Sequence, residues 1–429
     1  MGALEIILTI LSAIGTFYSV LKFYRKFYYA GVLYNQKFRK TNNFHKYGIC
    51  IPGRNEEKVI RNLLDSIQNQ DFPHEKLTIF VCADNCTDKT AEIAKQFAKE
   101  SDIETIVFEH KNPDERTKGF ALRYLFDQIK QTVPGGVKSC EAYFIFDADN
   151  VLAPDYFTRM NEAYDEGNEV ITSFRNSKNI DQNWISFSYA THWLRTCLGE
   201  HRGKNLLGLS CRIQGTGFCF SNKYVENGWR YTSLTEDRAF CTDVVVQGGR
   251  VVYCEAARFY DEQPYKLKVA LKQRLRWAKG HLQSSVENEP KLLKNIFKFN
   301  KNSIRSFDTF WLNFPTAIES GCRRLVRWTI QIIIGILVAN AWNVVAGILI
   351  SVLTSYLNHW IKKMLEATFV YCFYHKYMPK INVFKLFHYI FMFPFFDKIG
   401  TWSSYFALFK KVEWKPIPHD YTVDVHKLK

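Results

Sequence analysis

Leu77-Thr78-Ile79-Phe80-Val81-Cys82-Ala83 is a run of apolar β-formers that stops at Asp84-Asn85-Cys86-Thr87-Asp88 and gives way to a helical pattern over 88–99. The same order recurs on either side. Upstream, Tyr47 to Ile51 is followed by Pro52-Gly53-Arg54-Asn55-Glu56 and a helical pattern over 58–68; downstream, Ala142 to Phe146 runs into Asp147-Ala148-Asp149. Alternating strand and helix patterns predict a mostly parallel sheet with right-handed crossovers. In such sheets ligands bind at the carboxyl ends of the strands, and each of these polar groups falls there. The expected fold class is α/β, a mostly parallel sheet flanked by helices.

Length and composition set the frame for this unit. A chain of 429 residues exceeds the usual size of one domain, so appended segments are expected. The aromatic share of 16%, with 35 Phe and 23 Tyr, suits a protein that meets a membrane interface. The net charge of +15 admits nucleic acid, an anionic membrane face or phosphorylated substrates. Because no nucleic-acid module is visible and the basic residues gather beside apolar segments, the charge reads as membrane-side anchoring. The 11 cysteines are scattered. Cys50, Cys82 and Cys219 lie in apolar runs as small hydrophobes, and neither Cys82 with Cys86 nor Cys211 with Cys219 has a second pair at zinc-site spacing.

Apolar segments flank the α/β unit. Leu4 to Leu21, interrupted by Glu5, approaches the ~20 residues that span a bilayer and is followed by Lys22, Arg25 and Lys26. Leu325 to Leu357 is longer, with Asn340 and Asn343 inside, Arg323, Arg324 and Arg327 before it and Lys362 and Lys363 after it; it reads as a tight hairpin or one tilted helix. The expected division is an N-terminal membrane anchor (1–26), a cytoplasmic α/β domain (45–262), interfacial amphipathic helices (263–322), a C-terminal transmembrane region (323–411) and a cytoplasmic tail (412–429). Basic residues inside place the protein in the cell membrane, multi-pass, with Lys410, Lys411 and Lys415 cytoplasmic.

Four motifs occur in fixed order: Asp84-Asn85-Cys86-Thr87-Asp88, Asp147-Ala148-Asp149, Thr235-Glu236-Asp237 and Gln273-Arg274-Leu275-Arg276-Trp277. Together they resemble the catalytic set of the membrane-bound inverting glycosyltransferases of family 2, the group of cellulose, chitin and hyaluronan synthases. The resemblance covers Ile49 to Leu282 and implies a GT-A-like fold acting on a UDP-sugar. It assigns Asp84 to uracil and ribose, with Pro52 and Glu56 in the neighbouring nucleotide loop, Asp149 to a metal, and Asp147 to the ribose or the metal shell. Hard oxygen ligands suit Mg²⁺ or Mn²⁺. Asp237 matches the family's general base, and Glu236 is either its structural neighbour or a helix-start charge. Asp88 reads as a helix cap.

Lys118 in Lys118-Gly119-Phe120-Ala121-Leu122 either approaches a phosphate or lies on a solvated helix face. Gly215-Thr216-Gly217 either lets the backbone approach the sugar or forms an ordinary strand-end turn. On a helix, Gln273, Arg276 and Trp277 share a face. Arg276 there neutralises a diphosphate and Trp277 backs the acceptor sugar, or the helix lies at a membrane interface with Trp and Arg at headgroup level. Two features depart from the synthases: one N-terminal span, and no visible counterpart of their gating segment. Export of a polymer would then need the C-terminal spans, a second copy or an accessory subunit. The leading expectation is a processive polysaccharide synthase. A non-processive transferase using a lipid-linked acceptor is the alternative, and a silent sugar-nucleotide sensor the third reading.

Overall fold

The computed structural model describes residues 2–337, 341–412, 417 and 419–423. Helix α1 (Gly2–Phe23) precedes strand β1 (Tyr47–Gly53), helix α2 (Ile60–Gln68), β2 (Leu77–Asp84), α3 (Thr90–Glu100), β3 (Glu104–His110) and α4 (Lys118–Thr132). Then come β4 (Ala142–Ile145), β5 (Val151–Leu152), α5 (Tyr156–Asp165), β6 (Val170–Ser177), α6 (Trp184–Thr196), α7 (Arg202–Leu206), β7 (Phe218–Ser221), α8 (Glu236–Val246) and β8 (Val251–Asp261). Helices follow: α9 (Leu267–Ile296), α10 (Lys301–Asn313), α11 (Thr316–Leu337), α12 (Ala341–Tyr374) and α13 (Val383–Phe409).

The strands form one sheet in the order β3-β2-β1-β4-β7-β6-β8-β5. Strands β1 to β4 are mutually parallel, β7 runs antiparallel to both β4 and β6, and β8 is parallel to β6. Every residue of β1 and β2 is buried, as expected of parallel strands covered on both faces. Their alternation divides the core. Cys50 joins Phe126 and Trp229 on one face, while Ile49 and Ile51 join Leu64 and Phe157 on the other. The register pairs Gly53 with Ala83, so the loop after β1 and Asp84 at the end of β2 open on the same edge.

The later helices close over that edge. Helix α9 packs against α8, α10 and α13, and α13 against α6 and α12. Arg195 on α6 lies 3.5 Å from Glu366 on α12 and 3.4 Å from Asp397 on α13, and Lys363 sits 2.7 Å from Glu366 and 3.5 Å from Asp397. Partly buried ion pairs add little net stability, but they fix which helix faces meet.

The long apolar run expected at 325–357 forms parts of α11 and α12, two helices on either side of 338–340. Asn340 and Lys415, and the side chains of Glu5, Arg327 and Asn343, lie outside the described residues. Among the described residues no helix is long and apolar enough to cross a membrane, which corrects the expectation of spanning helices. Charged and polar residues lie inside three of the long helices: Asp397 and Lys398 in α13, Asn358, His359, Lys362 and Lys363 in α12, and Arg323 and Arg324 in α11. Apolar faces nevertheless point outward. Ile6, Ile10, Ile14, Phe17 and Val20 on α1 are 53–66% exposed, and Leu349, Leu353, Leu357, Ile361 and Leu365 on α12 are 54–66% exposed.

Candidate active site

The loops at the sheet edge are held by their own polar groups. Arg54 donates to the Asp84 carboxylate at 2.5 Å and to the Asp84 carbonyl at 3.0 Å. The same carboxylate faces His110 Nδ1 at 2.9 Å and accepts from Asn85 Nδ2 at 2.8 Å, so Asp84, 4% exposed, forms the floor beneath the loop of Pro52 and Glu56. Asp88 accepts from the Thr90 N–H at 3.1 Å and from the Glu57 N–H at 3.0 Å, while the N-cap position of α3 is Lys89, so Asp88 lies one residue before the expected cap and ties the loop after β1 to the start of α3.

Lys118, at the start of α4, turns into the cavity and not onto a solvated helix face. Its ammonium pairs with Asp147, donates to the Gly215 carbonyl at 2.8 Å and lies 4.0 Å from Glu236. Burial opposes its charge, but Asp147, Glu236 and Asp237 outweigh burial and hold Lys118 above its usual range. Asp149 accepts from the Glu262 N–H at 2.9 Å and from Asn150 Nδ2 at 3.0 Å. Burial acts to raise its carboxyl, yet His419, Lys178 and Arg175 hold it below the ordinary value. Thr216 links the two turns, accepting from the Asp147 N–H at 2.9 Å and donating to Asn150 Oδ1 at 2.6 Å. Gly217 has φ +64°, and a Cβ there would sit 2.2 Å from the Phe259 ring, so only glycine closes this turn.

Glu236 and Asp237 open α8. Burial, partly offset by Lys118 and reinforced by Asp237, raises Glu236 to about 7, and burial likewise raises Asp237 against the opposing pull of Arg238. Helix α9 lies directly against this turn because residue 280 is glycine: a Cβ there would meet Thr235 Cγ2 at 2.6 Å. Gln273, Arg276 and Trp277 line the same cavity from α9, with the Trp277 ring edge-on to Tyr189 and Trp193 at 5.9 and 5.4 Å. Burial lowers Arg276, while Glu236 and Asp147 favour its charge. The cavity, of about 400 Å³, is lined by every residue expected from sequence to bind or to catalyse except Thr216 and Gly217, which lie behind its wall.

Several lining residues carried no sequence motif. Arg175 on β6 pairs with Asp261 at the end of β8, donates to the Gln214 carbonyl and lies 3.9 Å over the Trp193 ring. From the far end of the chain, His419 reaches Glu56 at 3.1 Å, and the Asp420 and Tyr421 N–H groups donate to the Glu262 carboxylate at 3.1 and 3.0 Å. Burial acts to lower His419, but Asp149, Glu56 and Glu262 raise it to about 10, so it is an imidazolium. Residues 419–421 of the expected tail thus border the loop of Pro52 and Glu56.

A model of the glycosyltransferase-like family 2 matches residues 45–280, the stretch that supplies most of the lining of this cavity. The chain belongs to glycosyltransferase family 2. Relatives of this family 2 enzyme include the probable glycosyltransferase YdaM of Bacillus subtilis, 26% identical over 63% of this chain, and a hyaluronan synthase of Streptococcus pyogenes, 23% identical over 61% of it. The chain spans 62% of the length of each. Among solved structures, the mannosyltransferase PcManGT from Pyrobaculum calidifontis, in complex with GDP-Man and Mn²⁺, aligns over 79% of this chain and 99% of its own at 17% identity, with a TM-score of 0.50. That likeness bears on the fold alone: a GT-A-like α/β sheet flanked by helices.

Proposed function

We propose that this family 2 glycosyltransferase transfers a sugar, with inversion, from a UDP-sugar to a growing β-linked polysaccharide at a membrane surface, and does so processively. The observation that carries the reading is one cavity in which two desolvated carboxylates, Glu236 and Asp237, face Lys118 and Arg276 beside the strand-end pair Asp147 and Asp149. Asp237 takes the proton of the acceptor hydroxyl as its oxygen attacks C1 of the donor sugar; the bond from C1 to the diphosphate oxygen breaks and its electron pair leaves with UDP. Lys118 and Arg276 stabilise the charge that grows on the leaving group, acting in a water-poor site where fixed cations are strong. Glu236 shares Lys118 with Asp147 and so couples base and diphosphate ends.

A divalent ion fits this donor set in part. Among the described residues no group of three or more His, Cys, Asp or Glu side chains is arranged to hold one. Asp149, with Asp147 beside it, would hold Mg²⁺ or Mn²⁺ jointly with the donor's phosphate oxygens, and the ion would neutralise charge on the diphosphate. Polymer formation draws support from the hyaluronan synthase relative. The exposed apolar faces of α1 and α12 equally suit a lipid-linked acceptor extended by one or a few sugars.

The test is radiolabel incorporation from a panel of UDP-sugars by the full chain in lipid with Mg²⁺ or Mn²⁺, resolved by product size. A ladder from one or two donors is the expected result. A single short lipid-soluble product would replace the leading reading with the lipid-acceptor one, and absence of both transfer and donor hydrolysis would reject the transferase reading.

A further inference from the structure

The cavity continues beyond the reacting carboxylates to a wall formed by Arg212, Arg238 on α8, Arg274 and His281 on α9, and Asn313 at the end of α10. Asn313 ties this wall together. Its Oδ1 lies 3.4 Å from Arg238 Nη1, its carbonyl 2.7 Å from His281 Nε2, and its amide donates to Thr242 at 2.9 Å. Arg212 faces Glu200 at 3.1 Å and donates to Thr196 at 2.9 Å.

Charge is balanced differently at the two ends. At the donor end Arg54, Lys118 and Arg175 each face a carboxylate: Asp84, Asp147 and Asp261. At the far end, among the described residues, neither Arg238 nor Arg274 makes an ion pair with a carboxylate. Arg274 is 8% exposed, its Nε and Nη2 have no hydrogen-bond partner, and its guanidinium rests 3.7 Å from the centre of the Phe396 ring. Arg238 contacts Asn313 at 3.4 Å, and the carboxylates of Asp237 and Glu200 favour its charge without pairing with it directly. The surroundings respond to this surplus. His281 is pushed down to about 3 by burial and then by Arg238, and His192 is pushed down by burial and by Arg195, Arg274 and Arg212. With no carboxylate in direct contact, the half-buried Arg238 guanidinium is open to a charge-assisted hydrogen bond with an anion outside the chain. Besides Asp237, the neighbours of Arg238 are Asn313, His281 and Arg212, and none of these three belongs to the loops that follow β1, β2 and β4.

We infer that the acceptor is an anion: it carries a carboxylate or phosphate close to the reacting hydroxyl, and Arg238, backed by Arg212, selects it. The inference rests on the transferase reading above. One turn of α8 then performs two tasks, with Asp237 receiving the proton and the next residue gripping the acceptor's charge. Two sources share this chemistry, a uronic-acid glycan and a sugar linked to a lipid phosphate.

The test offers the full chain in lipid vesicles three acceptors at matched concentration: a neutral oligosaccharide, a uronic-acid oligosaccharide and a polyprenyl-phosphate-linked sugar. Each is measured with the wild type, Arg238→Gln and Arg238→Lys, following transfer, acceptor KM and acceptor-independent UDP release. The expected result is that at least one anionic acceptor exceeds the neutral one by about tenfold or more in kcat/KM, the loss or gain typical of a charged hydrogen-bonded pair. Arg238→Gln should collapse that ratio through KM, and Arg238→Lys should restore most of it. Which anionic acceptor leads identifies the source. Equal or better use of the neutral acceptor, or an equal loss with all three acceptors in Arg238→Gln, would overturn the inference while leaving the transferase reading intact. Failure to consume any donor would overturn both.

Discussion

Glu236 and Asp237 share one turn and one desolvated wall, and their raised proton affinities make the reaction sensitive to pH in a direction that can be worked out. A carboxyl raised to about 7 keeps its proton until the pH climbs through that value. The base form is needed for transfer, so kcat/KM should fall as pH drops below about 7, and the limb belongs to the interacting pair rather than to either acid alone. Removing the group that titrates near 7, as in Glu236→Gln, should move the limb toward the ordinary carboxylate range; a profile unchanged by that substitution would exclude Glu236 from the pair. Asp237→Asn should lower kcat by about a hundredfold or more, the usual worth of a positioned base, while UDP binding measured by calorimetry persists. Residual activity near wild type would remove Asp237 from the base role. The sequence pointed to these acids through the resemblance of Thr235-Glu236-Asp237 to the family's motif, and both line the cavity. It did not point to Arg175, Arg212 and Arg238, since β6, the loop before β7 and the first turn of α8 converge only in the folded chain.

The elements around the site are positioned by close approaches that leave no room for adjustment. Helix α9 reaches Thr235 only because residue 280 lacks a side chain, and Gly280→Ala forces a methyl to within 2.6 Å of Thr235 Cγ2. Overpacking of this kind costs about 1–3 kcal/mol, so a lowered thermal midpoint accompanied by a larger proportional loss of kcat is expected; full activity at an unchanged midpoint would mean that α9 is not seated as described. The strand-helix alternation at 47–68 and 77–100 was readable from apolar runs and their periodicity, and β1, α2, β2 and α3 lie where those runs fall. The antiparallel half was not readable, because β7 pairs with β4 and β6 across long connections. The tail was missed for a similar reason: residues 419–423 contact Glu56, Asn62, Lys178 and Glu262 through side-chain carboxylates and amides and main-chain hydrogen bonds, with no apolar pattern to announce them. His419 brings positive charge to the carboxylates of Glu56, Asp149 and Glu262. His419→Ala should therefore tighten Mn²⁺ binding severalfold, an effect of removing a cation close to acidic ligands, as read by titration of the ion against the donor-free protein. Weaker Mn²⁺ binding in this variant would show that His419 supports the acidic cluster instead of competing with a cation there.

At the scale of the molecule, helices α1 and α12 turn apolar side chains outward. Exposed Ile and Phe side chains on α1 and exposed Leu and Ile side chains on α12 would be costly in water, since each Val, Leu, Ile or Phe fully removed from it contributes about 1.5–3 kcal/mol. The protein also carries a net +15, with Lys22, Arg25 and Lys26 at or just after the end of α1, so anionic headgroups are attracted to the same end of the chain that exposes the apolar face. Attraction of this kind is screened by salt, whereas apolar burial is not. The full chain should therefore float with vesicles containing anionic lipid, lose part of its binding at high salt, and retain the remainder through the apolar faces. Placing charge on one of those faces, as in Phe17→Glu, should reduce the salt-resistant fraction without altering the circular dichroism of the α/β domain. A chain that stays at the bottom of the gradient with neutral and anionic vesicles alike would show that these faces meet protein rather than lipid.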